Sequence, residues 1–297
     1  MPPIGKIIRQ YGINFHCYAD DTQVYLSINP DESNQLLRLQ ACLDDIKSWM
    51  TLNFLHLNSD KTEVVIFGPE SSKNKVLNQS LNLDGINLAS VNKVKNLGVV
   101  FDQDMSFKSH IKHVFRVSFF YLRNIAKIRN ILSRSDAEKL VHAFVTSRLD
   151  YCNSLLSGSP QNAVQSLQLI QNAAARVLMK INKRDNFSPI LASLHWLPVK
   201  SIIEFKILFV MYKVINNQAP SYIRALITPY VSNRALHSQT AGLLVVPRVS
   251  KSRMGGRSFS YQAPLLWNQL PVLVREADTL STLKTNLKTF FFDKVYS

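Results

Sequence analysis

Two adjacent aspartates, Asp20 and Asp21, stand between two stretches in which apolar residues fall at every second position. Ile13, Phe15, Cys17 and Ala19 precede them, and Thr22, Val24, Leu26 and Ile28 follow. A period of two is the signature of strands with one buried face. The pair sits where the chain must reverse, and aspartate suits a turn because its carboxylate bonds nearby backbone N–H groups. The pattern therefore calls for an antiparallel hairpin with two carboxylates at its tip. Such a tip is, by itself, an ordinary turn. Two neighbouring carboxylates also present hard oxygen donors of the kind Mg²⁺ prefers. Both readings stand on local grounds.

The rest of the chain builds outward from that hairpin. Residues 4–14 form a short lead-in. Pro30-Asp31-Glu32-Ser33 opens a helix, with acids near its positive end. Leu36, Leu39, Leu43, Ile46 and Met50 then recur at steps of three and four, a stripe suited to packing on the hairpin sheet. Leu57-Asn58-Ser59-Asp60-Lys61-Thr62 leads into an apolar strand at 64–67, stopped by Gly68-Pro69. Residues 71–80 read as a loop. Leu81 to Leu88 reads as a hairpin around Asp84-Gly85, a type I′ signal. Residues 94–101 read as a further strand.

From Phe107 the period becomes helical. Ile111, Val114, Phe115, Ser118, Leu122, Ile125 and Leu132 mark an apolar face. Lys112, Arg116, Arg123, Lys127 and Arg134 recur at steps of four and seven on another. A charged stripe is commonly a solvated face. This one has few acidic partners at helical spacing, so it also suits phosphates along a nucleic acid. A capping box at Ser135-Asp136-Ala137-Glu138 starts a second helix, and Ser159-Pro160 starts a third. Residues 199–215 form a helix with a wide apolar face, 243–246 a short strand, 248–257 a basic loop, and 280–292 a closing helix with Lys284 and Lys288 exposed.

Charge is divided unevenly. Residues 1–105 hold 9 Lys/Arg and 12 Asp/Glu, a net of −3; residues 106–184 hold 13 and 3, a net of +10; residues 185–297 hold 13 and 5, a net of +8. A basic excess of this kind favours a polyanionic partner. No apolar run reaches the length of a membrane span, so no membrane partner is expected. The three cysteines lie far apart without a Cys-x-x-Cys pair, which leaves no zinc or disulfide framework to expect and fits a reducing, intracellular compartment, nucleus or cytoplasm.

Tyr18-Ala19-Asp20-Asp21, followed by an amphipathic helix, Leu57-Asn58-x-x-Lys61-Thr62 and a strand, resembles the reverse transcriptases of non-LTR (long interspersed element type) retrotransposons. The tail segments Leu194-His195-Trp196-Leu197-Pro198 and Ala263-Pro264-Leu265-Leu266-Trp267-Asn268 resemble the same elements. The resemblance implies that Asp20 and Asp21 hold catalytic Mg²⁺, that Lys61 lies near the pyrophosphate leaving group, and that Tyr18 and the Leu97-Gly98-Val99 primer grip touch nucleic acid. It implies an RNA template and a DNA primer, or an RNA–DNA hybrid, as partners.

The expected fold class is α+β: a partial polymerase palm over residues 1–105, with one antiparallel sheet and one packed helix, a thumb-like helical bundle over 106–184, and a mainly α region of unknown role over 185–297. Residues 1–17 contain no Asp or Glu, whereas two-metal phosphoryl transfer needs a carboxylate from a separate strand. The expectation is therefore a C-terminal part of an RNA-directed DNA polymerase, without fingers or the first half of the palm, that binds Mg²⁺ weakly or not at all and is inactive alone. A non-catalytic module for RNA or RNA–DNA hybrid, and a decayed element copy, are the alternatives. An uncovered sheet edge predicts self-association near residues 15–26.

Overall fold

A reversal at Gly12, where φ is +62°, ends the first helix and swings the backbone into the first strand. The computed structural model describes residues 3–29, 34–68, 73, 81–83, 86–181, 186–230, 242–249 and 254–297. The chain is α+β and divides into two units, Met1–Ser106 and Phe107–Ser297.

In the first unit, α1 (Pro3–Gln10) precedes the ribbon β1 (Asn14–Tyr18) and β2 (Asp21–Tyr25), and α2 (Asn34–Leu52) follows. Residues 4–14 are thus more than a lead-in. Ile4, Ile7, Ile8 and Tyr11 recur at steps of three and four, and proline occupies the favoured first position. Ile8, Ile13, Cys42 and Ile46 form the buried core, with Phe15, Val24, Leu39 and Met50 packed against it. Tyr11 donates its hydroxyl to Asp45 Oδ2 at 2.5 Å, and Arg38 Nη2 donates to the Tyr11 carbonyl, so the residue just past the end of α1 is tied to α2. The Cys42 thiol is pushed up to about 11 by burial and then by Asp45. It is a core group at neutral pH, since the thiolate is the reactive form.

The expected single sheet is instead a set of two-stranded ribbons: β1–β2, β3 (Leu81–Leu83) with β4 (Ile86–Leu88), and β5 (Lys93–Asn96) with β6 (Val99–Asp102). The residue 64–67 strand reduces to one parallel bridge, Val64 to Ser90. An apolar run becomes a ladder only where a partner runs alongside it, and here that happens at one residue. The expected β3–β4 hairpin forms, with Leu83 opposite Ile86. Its tip at 84–85, the helix start at 30–33 and the loop at 71–80, Lys73 excepted, lie outside the described residues.

The second unit is helical: α3 (Lys108–Ile128), α4 (Arg134–Val141), a π turn (His142–Thr146), α5 (Ser147–Asp150), α6 (Gln161–Met179), α7 (Phe187–Ser193), α8 (Val199–Ile215), α9 (Ser221–Arg224), α10 (Phe259–Asn268), α11 (Val272–Arg275) and α12 (Leu280–Tyr296). The N-cap of α4 is Ser133, not Ser135; its hydroxyl accepts from the Asp136 N–H at 3.1 Å, and Asp136 sits at the capping-box position. Pro160 is the N-cap of α6 rather than its first residue. Leu132 lies beyond the end of α3.

Helix α8 is the hub, packing on α6, α9, α10 and α12 with Ile203, Ile207, Leu208, Met211 and Val214 buried. Its entry is fixed by two glutamines of α6. Gln168 accepts from the Val199 N–H, and Gln171 donates to the Leu197 carbonyl, both at 2.9 Å. Trp267 Nε1 donates to the Gly242 carbonyl, while the Asn268 amide both accepts from and donates to the backbone of Leu244. That amide stands in for a strand partner. The expected strand at 243–246 is therefore one bridge, Pro229 to Leu244. His195 is exposed at positive φ against Phe292, and Trp196 is half-buried. Residues 250–253 of the basic loop lie outside the described residues.

Arg129 is a buried cation of this unit, 9% exposed. Nε and Nη2 donate to the carbonyls of Val177 and Leu178 at 2.9 Å, and Nη1 to Leu132 at 3.0 Å. It serves the C-terminal carbonyls of α6, where the helix dipole also favours positive charge. Truncation leaves three acceptors unpaired, so Arg129→Ala is expected to cost about 2–4 kcal/mol in urea unfolding. Lysine, which lacks the planar fork, should recover only part of that. His110 is held below its ordinary 6.5 by burial and then by His113. The folded state resists its protonation while the unfolded state does not, so stability present above 6.5 is lost as pH falls. His110→Asn should flatten that loss in melts between pH 7 and 5.

Candidate active site and nucleic-acid interface

Register decides what the hairpin tip presents. Tyr18 pairs with Asp21, Cys17 with Thr22, His16 with Gln23, Phe15 with Val24 and Asn14 with Tyr25. The two-residue turn is thus Ala19-Asp20. Asp21 is the first residue of β2, one step from the expected position in the turn. Strand side chains alternate. Phe15 and Val24 enter the core, which puts Asn14, His16, Tyr18, Asp21, Gln23 and Tyr25 together on the opposite, outward face. His16 and Tyr25 stack there with ring centroids 5.2 Å apart, and the Tyr25 hydroxyl lies 3.0 Å from His16 Nε2. Tyr18 is 68% exposed. His16, Gln23 and Tyr25 occupy the polar half of the same period-two alternation whose apolar half marks the core face.

Ala19 carries φ +53°, and Asp20 does not share the sign. A β-carbon at left-handed φ costs roughly 1–2 kcal/mol, so the hairpin holds its tip against local preference.

Residues 94–101 are a hairpin rather than one strand. Asn96 pairs with Val99, and Leu97 and Gly98 form the turn at φ +44° and +81°. Two positive φ values are the mark of a type I′ turn, and glycine takes the second at no steric cost. Asn96 Nδ2 donates to Gln23 Oε1 at 2.9 Å. That bond brings the exposed Leu97-Gly98 turn beside the outward face carrying Tyr18 and Asp21.

Lys61 ends a 3₁₀ turn (Ser59–Lys61), its N–H donated to Asn58 Oδ1 at 3.1 Å; the Thr62 hydroxyl donates to the Asn58 carbonyl at 2.9 Å. Asn58 and Thr62 thus fix the local backbone, and Lys61 extends into solvent. Among the described residues, no hydrogen bond or ion pair joins it to Asp20 or Asp21.

The donor chemistry of Asp20 and Asp21 suits Mg²⁺, but the set is incomplete. Both carboxylates are exposed, and among the described residues no group of three or more His, Cys, Asp or Glu converges to hold an ion. The described residues do not by themselves form a two-ion site. Exposure also limits the repulsion between the two charges. At 4 Å in water it is about 1 kcal/mol, so the hairpin needs no cation to fold.

In the second unit, Lys112, Arg116, Arg123 and Lys127 are exposed on one face of α3. Arg134 is not in this stripe. It lies on α4 beyond the intervening turn, paired with Glu138 at 3.0 Å. Phe115 and Phe119, with centroids 4.5 Å apart, join Lys112, Arg116 and Arg123 in lining a shallow groove. Phe119 went unremarked in the sequence because it flanks the core stripe without belonging to it.

The family described as reverse transcriptase (RNA-dependent DNA polymerase) matches residues 1–101. The amino-terminal unit is therefore similar to a reverse transcriptase domain over the stretch that carries Asp20, Asp21, Lys61 and the Leu97-Gly98 turn. No curated protein and no solved structure matches the chain.

Two outcomes follow from the hairpin geometry. Ala19→Gly should be neutral or stabilising by about 0.5–1 kcal/mol, and Ala19→Val destabilising by about 1–2 kcal/mol, in urea unfolding. EDTA should leave the thermal midpoint of the wild-type chain unchanged; a fall on chelation would mean that an ion is part of the fold.

Proposed function

We propose that the chain is the C-terminal part of an RNA-directed DNA polymerase of the non-LTR retrotransposon type. Asp20 and Asp21 supply part of its Mg²⁺-binding set, and a further carboxylate comes from outside residues 1–297. The observation that carries the reading is the placement of Tyr18-Ala19-Asp20-Asp21 at the tip of a two-stranded ribbon, inside the segment matched by the reverse transcriptase family. Tyr18 and the Leu97-Gly98 turn contact the primer-template, and Lys61 faces the leaving pyrophosphate. Residues 106–184 act as a thumb on an RNA–DNA hybrid. The chemistry belongs in the nucleus or cytoplasm. In this reading the chain alone is inactive: two-ion phosphoryl transfer requires both ions to be held, and the described residues bring only two carboxylates to the turn.

Primer extension tests it directly. Purified chain with oligo(dT)-primed poly(A) RNA, Mg²⁺ and dTTP should make no DNA. Synthesis that disappears in Asp20→Asn would overturn the inactive-alone reading and establish a complete site within the chain.

A second reading, a non-catalytic module for RNA or RNA–DNA hybrid, is favoured by the α3 stripe, which has no acidic residue on its helix. The two differ in what Asp21→Asn does to hybrid binding. A binding module is indifferent to Mg²⁺ and to that change. Self-association fits both, because among the described residues β1 and β2 pair only with each other, which leaves their outer edges open. Light scattering should show mass rising with concentration; a monomer across the accessible range would contradict it.

A further inference from the structure

The 21 residues of α3 include five Lys or Arg and no Asp or Glu, so no pairing within the helix can quench the charge. Lys112, Arg116, Arg123 and Lys127 fall within a sector of about 60° at 100° per residue, with the steps from 112 to 116 and from 123 to 127 each spanning about 6 Å of axis. None of the four takes part in an ion pair among the described residues. Arg123 also donates Nε to the Phe119 carbonyl at 3.2 Å, which holds its base against the ring it flanks.

Aromatic residues flank that sector. Phe115 and Phe119 border the cations on one side, half-buried and tilted 43° to each other, and Phe120 borders them on the other, 54% exposed. Cations alone would serve any polyanion. Rings that alternate with cations along one groove serve a polyanion that also carries flat apolar faces. In a duplex those faces are already stacked inside the helix. In an unpaired strand they are free to lie on a side chain.

We infer that this face of α3 holds an unpaired stretch of nucleic acid, its phosphates on Lys112, Arg116, Arg123 and Lys127 and its bases on Phe115 and Phe119. The inference rests on the nucleic-acid reading of the stripe and is independent of any polymerase role for Asp20 and Asp21. Phosphate contact supplies affinity and salt dependence; the rings supply the preference for single strands, with little discrimination among bases.

Fluorescence anisotropy on the full chain tests it, using a labelled 20-nucleotide oligo(U), a 20-base-pair RNA duplex and poly-glutamate as probes at several salt concentrations. Oligo(U) should bind more tightly than the duplex, and poly-glutamate should compete poorly. The double variant Phe115→Leu with Phe119→Leu keeps both side chains apolar while removing the rings, and should weaken oligo(U) binding by about 10-fold or more, with little change for the duplex. The double variant Lys112→Gln with Arg116→Gln should weaken both and reduce the salt slope for oligo(U) by about 1.4. Phe119→Trp adds a direct readout, since its added emission should be quenched by oligo(U) and not by duplex. Equal binding of single strand and duplex, or leucine variants that bind like wild type, would overturn the single-strand inference while leaving the stripe a nucleic-acid contact. Absence of any nucleic-acid binding, or equal competition by poly-glutamate, would overturn both.

Discussion

The pairing of Tyr18 with Asp21 is the constraint on which the site depends. A strand has a side-chain period of two, so one residue of slip would send Phe15 and Val24 to solvent and drive His16, Gln23 and Tyr25 into the core. The buried cluster of Ile8, Ile13, Cys42 and Ile46 forbids that exchange. Core packing in the first unit thereby sets which way Asp21 faces, although the carboxylate itself touches no core residue. The left-handed Ala19 is the local cost of keeping the register through a two-residue turn.

The second unit solves a different problem. Its helices are joined by segments with few ladder bonds, so polar side chains perform the joining. Arg129 gathers the carbonyls that end α6, Gln168 and Gln171 seat the start of α8, and Asn268 pairs with the backbone of Leu244. Gly158, at φ +64°, lets the Gly256 carbonyl approach to where a β-carbon would stand 3.0 Å away. Arg129, Gln168, Gln171 and Asn268 each sit where an apolar side chain would leave backbone groups unpaired. With the interior joined in this way, the cationic face of α3 remains outward.

Much of this was legible from residue order. The carboxylate hairpin, the stripe of α2 and the bounds of α8 follow from periodicity alone, because apolar spacing reports directly on a buried face. Other features were hidden for physical reasons. The turn at Leu97-Gly98 is masked by its flanks, since Val94, Val99, Val100 and Phe101 are strand-forming residues on both sides of it and only the sign of φ shows the reversal. Arg134 keeps the spacing of the stripe, but the helix ends at Ile128 and spacing carries no meaning across a turn. Asn268 and Arg129 act on backbone atoms distant in sequence, which leave no local pattern.

We propose that this hairpin presents part of a metal site, as the reverse transcriptase reading of residues 1–101 requires. Titration of the purified chain with Mn²⁺, followed by electron paramagnetic resonance, measures the number and strength of bound ions directly. The account predicts a single weak ion, with a dissociation constant on the order of 10⁻³ M, lost in Asp21→Asn. Two ions bound tightly by the wild-type chain, and released together by that substitution, would contradict it.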